Sequence, residues 1–287
     1  MEFHAPTSTD EAVALLARYR ERARVLAGGT DLVLDLKAGK VEPQALVWVG
    51  RIPGLAAIER RDGQVRLGAG VTATMLLESA VVREAALPLA LAAEAFGAPA
   101  VRDMATLGGN VVTASPAGDL AIALLALDAT AELVGPQGER RAPLADLFAG
   151  PRRSRIGPDE LLVAFQVPAG GRGRGGDFVK LGPRQALAIS VVCAAASVTL
   201  GDGGTCAEAR IALGSVAPTP LRAREAEAVL RGRRPDAALL DQAAERAAAE
   251  TSPISDIRGS AWYRRRVTPA VVRRALEGAV ARAAGAT

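Results

Sequence analysis

The sequence predicts an α+β protein of more than one domain, on three observations. Residues 1–55 carry alternating helix and strand signals. The final third places a β-hairpin before a run of helices rather than between them. A glycine-rich stretch, "AGGRGRGG" from Ala169 to Gly176, divides the chain where no core can form. At 287 residues the chain exceeds one small core and suits two or three domains.

The elements follow in order. The opening "STDEAVALLARY" places Ser8 three residues before Glu11, a capping spacing, ahead of apolar Val13, Leu16 and Ala17; a short helix begins there. "RARVLAGGTDLVLDLKAG" reads as a strand running into Gly28-Gly29, then a short helix from Thr30 or Asp31. "ALVWVG" is a strand, and "LAAIERRDGQVRLGAG" is a hairpin turning at Asp62-Gly63. Residues 1–55 thus form a first subdomain. Two helices are predicted over Thr74 to Phe96, broken at Pro88. "DLAIALLAL" is apolar enough to be a buried helix. "TAELVG", a turn at Pro136-Gln137-Gly138, "ERRAPLADLF" and the strand "ELLVAFQVP" complete a second subdomain, residues 56–170. After a linker at about 169–176 comes a third unit, 177–287. Its hairpin is "ISVVCAAASVTL" and "CAEARIALGSV", and its helices are "REAEAVLRG", "DAALLDQAAERAAAE" and "VVRRALEGAVARAA".

Composition excludes several function classes. The cysteines, Cys193 and Cys206, and the one histidine, His4, are too few for an iron-sulfur cluster or a zinc site built from this chain, and all three read as structural. They also leave no Ser-His-Asp or Cys-His set. A net charge of +4 does not indicate nucleic acid: three of the 35 basic residues are lysines, the arginines alternate with acids, and aromatics are 3% of the chain. The arginine-rich tail, Arg258 to Arg282, reads as a solvated helical face, with a subunit contact as the alternative. The opening lacks a basic start followed by an apolar run, and no long uncharged apolar stretch occurs, so a cytoplasmic chain without a membrane span is expected.

Two segments combine paired glycines with hydroxyls and a following helix start. They are "LAGGTDLV" (Leu26, Ala27, Gly28, Gly29, Thr30, Asp31, Leu32, Val33) and "TLGGN" (Thr106, Leu107, Gly108, Gly109, Asn110). Glycine permits positive φ and close approach of a ligand to amides, and amides at a helix start favour an anion. Such donors can hold a pyrophosphate without lysine or arginine. The alternative for each is a plain tight turn. Asp119, repelled by phosphate, suits ribose hydroxyls. "GAGVTA", Gly68 to Ala73, matches G-x-G-x-x-A, but no second strand ending in an acid follows at the required distance, so Thr72 or Thr74 reads as a helix cap.

"LAGGTDLVLDLKAG", "VRDMATLGGNVVTASPAGDL", "DELLVAFQVP" and "FVKLGPRQALAIS", in that order, with "RGSAWYRRRVTPAVVRRAL" near the end, resemble the FAD-binding medium subunit of the molybdenum hydroxylases. The resemblance covers nearly the whole chain. It implies an FAD-binding fold of the vanillyl-alcohol-oxidase or p-cresol-methylhydroxylase type, two α/β subdomains, followed by a C-terminal α+β domain of the CO dehydrogenase flavoprotein type. By position it implies that Leu26 to Val33 and Thr106 to Asn110 hold the diphosphate region of FAD. Phe96 would lie against the flavin or its chain, Asp119 toward the nucleotide, and Leu162 and Lys180 would complete the pocket. It further implies electron transfer to FAD from a small 2Fe-2S subunit beside a large molybdenum-cofactor subunit, as a dimer of heterotrimers, with NAD, oxygen, a quinone or another carrier as acceptor. Two departures stand out: Asp119 is followed by Leu120, Ala121 and Ile122 where Asp-x-x-Pro is usual, and Asp103 stands where asparagine is common. The alternatives are a stand-alone flavin oxidoreductase of the same fold, like UDP-N-acetylenolpyruvoylglucosamine reductase, or a scaffold subunit without flavin.

Overall fold

The computed structural model describes residues 1–184 and 186–285; Gln185, inside the motif at 178–190, and residues 286–287, the end of the expected third unit, lie outside it. The first unit is built from β1 (Glu2–His4), α1 (Thr9–Tyr19), β2 (Ala23–Leu26), α2 (Leu32–Lys37) and β3 (Ala45–Trp48). Its sheet is parallel, in the order β1-β3-β2. Ser8 caps α1 by accepting from Glu11 N, and Glu11 returns the bond to Thr7 N rather than to Ser8. The buried side of α1, Ala12, Val13 and Leu16, packs in one cluster with Val47 and with Leu161 and Val163 of the next unit, so the first unit is seated on the second by apolar contact.

The second unit holds β4 (Ile58–Arg61), β5 (Gln64–Gly68), α3 (Ala73–Glu78), α4 (Ala80–Ala85), α5 (Leu87–Glu94), α6 (Pro99–Arg102), α7 (Leu107–Val112) and α8 (Asp119–Ala126). It continues with β6 (Thr130–Gly135), β7 (Gly138–Pro143), β8 (Phe148–Gly150), β9 (Arg153–Ser154) and β10 (Leu161–Pro168). Its antiparallel sheet runs β4-β5-β10-β6-β7, so the last strand in sequence is the central one. The first hairpin turns where expected, with Asp62 and Gly63 both at positive φ. Between residues 73 and 94 there are three helices, not two. Ser79 both ends one helix and caps the next, and Pro88 lies in the first turn of α5, where its missing N–H costs nothing.

The third unit is the antiparallel sheet β11 (Arg174–Leu181), β12 (Val192–Leu200), β13 (Cys206–Gly214) and β14 (Leu221–Arg222), with α9 (Arg224–Leu230), α10 (Ala237–Ala249) and α11 (Ala261–Ala283). The expected linker ends earlier than its composition suggests. Arg174 to Gly176 are strand, and a Cβ at Gly175 would collide with the backbone at Ala279 and Ala283 of α11. Those glycines bring helix and strand together; they do not loosen a hinge. The tail also departs from a solvated face. Arg264 is buried, donating to Val191 O (2.9 Å), Ser215 O (2.8 Å) and Asp256 Oδ1 (2.6 Å).

All eight residues of α8 are buried, because this helix lies between the second unit's core and the sheet of the third. That explains its all-round apolar sequence. Ile122, standing where a proline is usual, fills the space above Gly214, where a Cβ would collide with it, and the helix still starts at Asp119. Asp103 Oδ1 accepts a local bond from Thr74 Oγ1 at 2.6 Å.

Candidate functional site

A cavity of about 560 Å³, within the range of small-molecule sites, opens between the first and second units. Of the residues singled out from the sequence, Ala27, Gly28, Gly29, Thr30, Asp31, Leu32, Phe96, Thr106, Gly108, Gly109, Asn110 and Leu162 line it. Leu26, Val33, Leu107, Asp119 and Lys180 are not among its walls. Leu26 ends β2, Val33 is in α2, and Leu107 is fully buried in the core.

The first loop leaves β2 at Leu26 and enters α2 at Leu32. Gly29 sits at φ 75°, a left-handed conformation that side chains disfavour. Gly28 is glycine for another reason: a Cβ there would overlap Met104 O, so the two loops touch through bare backbone. Among the described residues, the amides of Gly28, Gly29, Thr30, Asp31 and Leu32 donate to no group of the chain. The first amides of a helix have no partner within it, and a run of them at a helix start favours an anion.

The second loop is arranged differently. Leu107 N donates to Val71 O (2.8 Å), Gly108 N to Ala69 O (2.8 Å), Gly109 N to Thr106 Oγ1 (3.1 Å) and Asn110 N to Thr106 O (3.0 Å). Its amides are therefore consumed, and the ledge consuming two of them, Ala69 and Val71, belongs to the "GAGVTA" stretch. Thr72 there caps α3, as expected of it. A Cβ at Gly108 would collide with Ala69. What this loop offers is side chains. Asn110 Oδ1 accepts from Ala121 N at 3.0 Å, which leaves its amide nitrogen as a donor toward the cavity it lines. Leu162 is placed by a β-bulge between Leu162 and Ala164 of β10.

Asp119 and Lys180 form a buried ion pair of 2.6 Å, and Lys180 Nζ also donates to Ala95 O at 3.1 Å, next to Phe96. The other carboxylate oxygen, Asp119 Oδ1, is buried without a hydrogen-bond partner among the described residues. Burial pushes the Asp119 pKa up to about 6, against the pull of Lys180. The Cys193 thiol beside them is raised by burial and by Asp119, so it stays protonated, a core residue.

The sequence reasoning missed Ala69, Gly70, Thr113 and Arg152, which also line the cavity. Arg152 meets the first loop's helix at Asp35, 117 positions away, and no local pattern marks it.

A family model described as the FAD-binding domain in molybdopterin dehydrogenase matches residues 1–170, and one described as the CO dehydrogenase flavoprotein C-terminal domain matches residues 177–279. The carbon monoxide dehydrogenase medium chain of Afipia carboxidovorans is 37% identical, over 98% of this chain and 97% of its own. The 6-hydroxypseudooxynicotine dehydrogenase complex subunit alpha of Paenarthrobacter nicotinovorans is 34% identical, over 96% and 93%. In solved form, a chain of carbon monoxide dehydrogenase from Hydrogenophaga pseudoflava superimposes with a TM-score of 0.95 at 35% identity, covering 98% of each chain. The donor set fits FAD: unpaired amides at a helix start for the diphosphate, and an apolar wall at Phe96 and Leu162 for a ring system. The chain belongs to the FAD-binding medium subunits of the molybdenum hydroxylases.

Proposed function

We propose that this chain serves as the flavin relay of a three-subunit molybdenum hydroxylase, between a small 2Fe-2S subunit and an external acceptor such as NAD, oxygen or a quinone. The observation that carries the site assignment is the run of unpaired amides from Gly28 to Leu32, facing a cavity shared with Thr106 and Asn110. FAD, when bound, supplies the redox chemistry, and the chain supplies position and electrostatics. Gly28 to Leu32 hold the diphosphate by backbone donation, and Asn110 adds a side-chain donor from the opposite wall. Phe96 and Leu162 exclude water from the ring system. Asp119 and Lys180, off the cavity wall, form a buried ion pair that braces the backbone at Ala95, next to Phe96.

No residue of the cavity is needed as nucleophile or general base, since oxidation of the substrate takes place in the large subunit. Relatives of the same fold accordingly belong to a carbon monoxide dehydrogenase and to a 6-hydroxypseudooxynicotine dehydrogenase complex. Assignment to the cytoplasm draws support from Cys193 and Cys206, both free and buried. Among the described residues no helix is long and apolar enough to cross a membrane.

The chain expressed alone is expected to be yellow with one FAD. Gly109→Val, which puts a side chain into the cavity wall at Thr106 Oγ1, is expected to abolish FAD binding while the circular dichroism stays native. Full FAD occupancy in that variant would remove the second loop from the site. A pull-down from the native organism should bring a 2Fe-2S subunit and a molybdenum subunit; recovery of the chain alone would count against the relay.

A further inference from the structure

Four carboxylates line the cavity, Glu21, Asp31, Asp35 and Glu160, and two of them, Asp31 and Asp35, stand on the loop and helix that carry the free amides. A dianionic diphosphate would be repelled by both unless each were engaged. Each is met from the opposite wall. Thr113 Oγ1 donates to Asp31 Oδ2 at 3.0 Å, and Arg152 Nη2 donates to Asp35 Oδ2 at 2.5 Å. Thr113 and Arg152 also line the cavity and belong to the second unit, whereas both acids belong to the first. Lys40 pairs with Asp35 at 3.2 Å as well, but it comes from the acids' own unit, so it neutralises without joining the walls.

The backbone at these donors is unusual. Ala114, next to Thr113, has φ 49°, and Arg152 has φ 55°, both left-handed although neither is glycine. The two are joined, Arg152 N donating to Ala114 O at 3.0 Å. Such conformations persist only where the surroundings dictate them, and they gather at ligand clamps. Here they aim a hydroxyl and a guanidinium across the cavity mouth at two acids.

We propose that Arg152 and Thr113 are positioning residues for the flavin nucleotide: they hold the carboxylates of Asp31 and Asp35 off the diphosphate and keep the amides of residues 28–32 facing it. The proposal rests on the reading of the cavity as the FAD site. Arg152→Ala leaves Asp35 with Lys40 alone and unties the walls; Asp35→Asn in that background removes the charge left less compensated. Asp35→Asn alone leaves Arg152 free to face the diphosphate.

The test is FAD binding by the full-length, flavin-stripped chain, read as quenching of flavin fluorescence and as the rate of FAD release, with the melting temperature of the stripped chain as a fold control. Arg152→Ala is expected to weaken FAD binding about fivefold, the size of a half-exposed charge acting on a dianion, mostly through faster release. The double variant should return to within about twofold of wild type, and Asp35→Asn alone should bind more tightly than wild type. Unchanged binding in Arg152→Ala, a double variant no better than Arg152→Ala, or weaker binding in Asp35→Asn would each overturn the proposal. If Arg152→Ala does not fold, the Asp35→Asn result decides. A wild-type chain that binds no FAD overturns the site reading and this proposal together, so the two failures are told apart by the wild-type titration.

Discussion

The two glycine loops look alike in sequence and do opposite things in space. In "LAGGTDLV" the amides from Gly28 to Leu32 have no partner among the described residues, while in "TLGGN" those of Leu107, Gly108, Gly109 and Asn110 are all taken within the chain. The first loop joins a strand to a helix, touches the second at Met104 O, and lines the cavity with residues whose amides have no partner among the described residues. The second is zipped along Ala69 to Ala73, where backbone pairing uses the donors that a free helix start would offer. Gly-Gly is thus one spelling for two physical needs: freedom to turn amides outward, and thinness where two backbones pass. The lesson is to ask where each amide donates before assigning an anion to a glycine motif.

That contrast can be broken experimentally, and the largest effect is expected at Gly28. Its amide is unpaired and its missing side chain serves the contact with Met104 O, so Gly28→Ala should destabilise the stripped chain by more than about 3 kcal/mol. A melting temperature close to wild type would show that the two loops need not touch. The second effect concerns the anchoring of the second loop through α8. Because burial raises the folded-state pKa of Asp119 to about 6 from its ordinary 3.8, the folded chain binds this proton more tightly than the unfolded one. Its contribution to stability is therefore fully present below about pH 4 and is lost as the pH rises through about 6, an effect on the order of 3 kcal/mol. Asp119→Asn should flatten that segment of the stability profile, and an unaltered profile would assign the titration elsewhere. The smallest effect is expected at Asn110: Asn110→Ala unpairs Ala121 N and removes one cavity donor, costing about 1 kcal/mol of stability and several-fold in FAD affinity. Denaturant unfolding should report the first and calorimetric titration with FAD the second, and loss of stability alone would mean that Asn110 only braces the helix.

Much of the architecture was legible in local pattern. The capped first helix, the hairpin at Asp62-Gly63, the buried "DLAIALLAL" helix and the C-terminal strand pair all stand close to where periodicity and turn chemistry put them, because each signal lies within one element. Pro88 misled for a definable reason: proline is tolerated in a first turn, and sequence alone does not say which turn it occupies. "AGGRGRGG" misled because glycine marks close packing as readily as flexibility, and α11, which needs that thinness, lies a hundred residues away. Arg264 misled because a run of arginines looks uniform until one of them finds two carbonyls inside the protein.

By itself the sequence determined the chemistry on offer: two Gly-Gly loops next to hydroxyls, no metal-ligand set, and a flavin-subunit resemblance carried by motifs in fixed order. Which amides are free, which carboxylates are neutralised and which arginine lies at the cavity mouth were decided only by the tertiary structure. The reason is physical. An amide or a charge acts on a ligand only with what its neighbours leave over, and here those neighbours, Val71 for Leu107 and Arg152 for Asp35, are placed by chain crossings from remote segments.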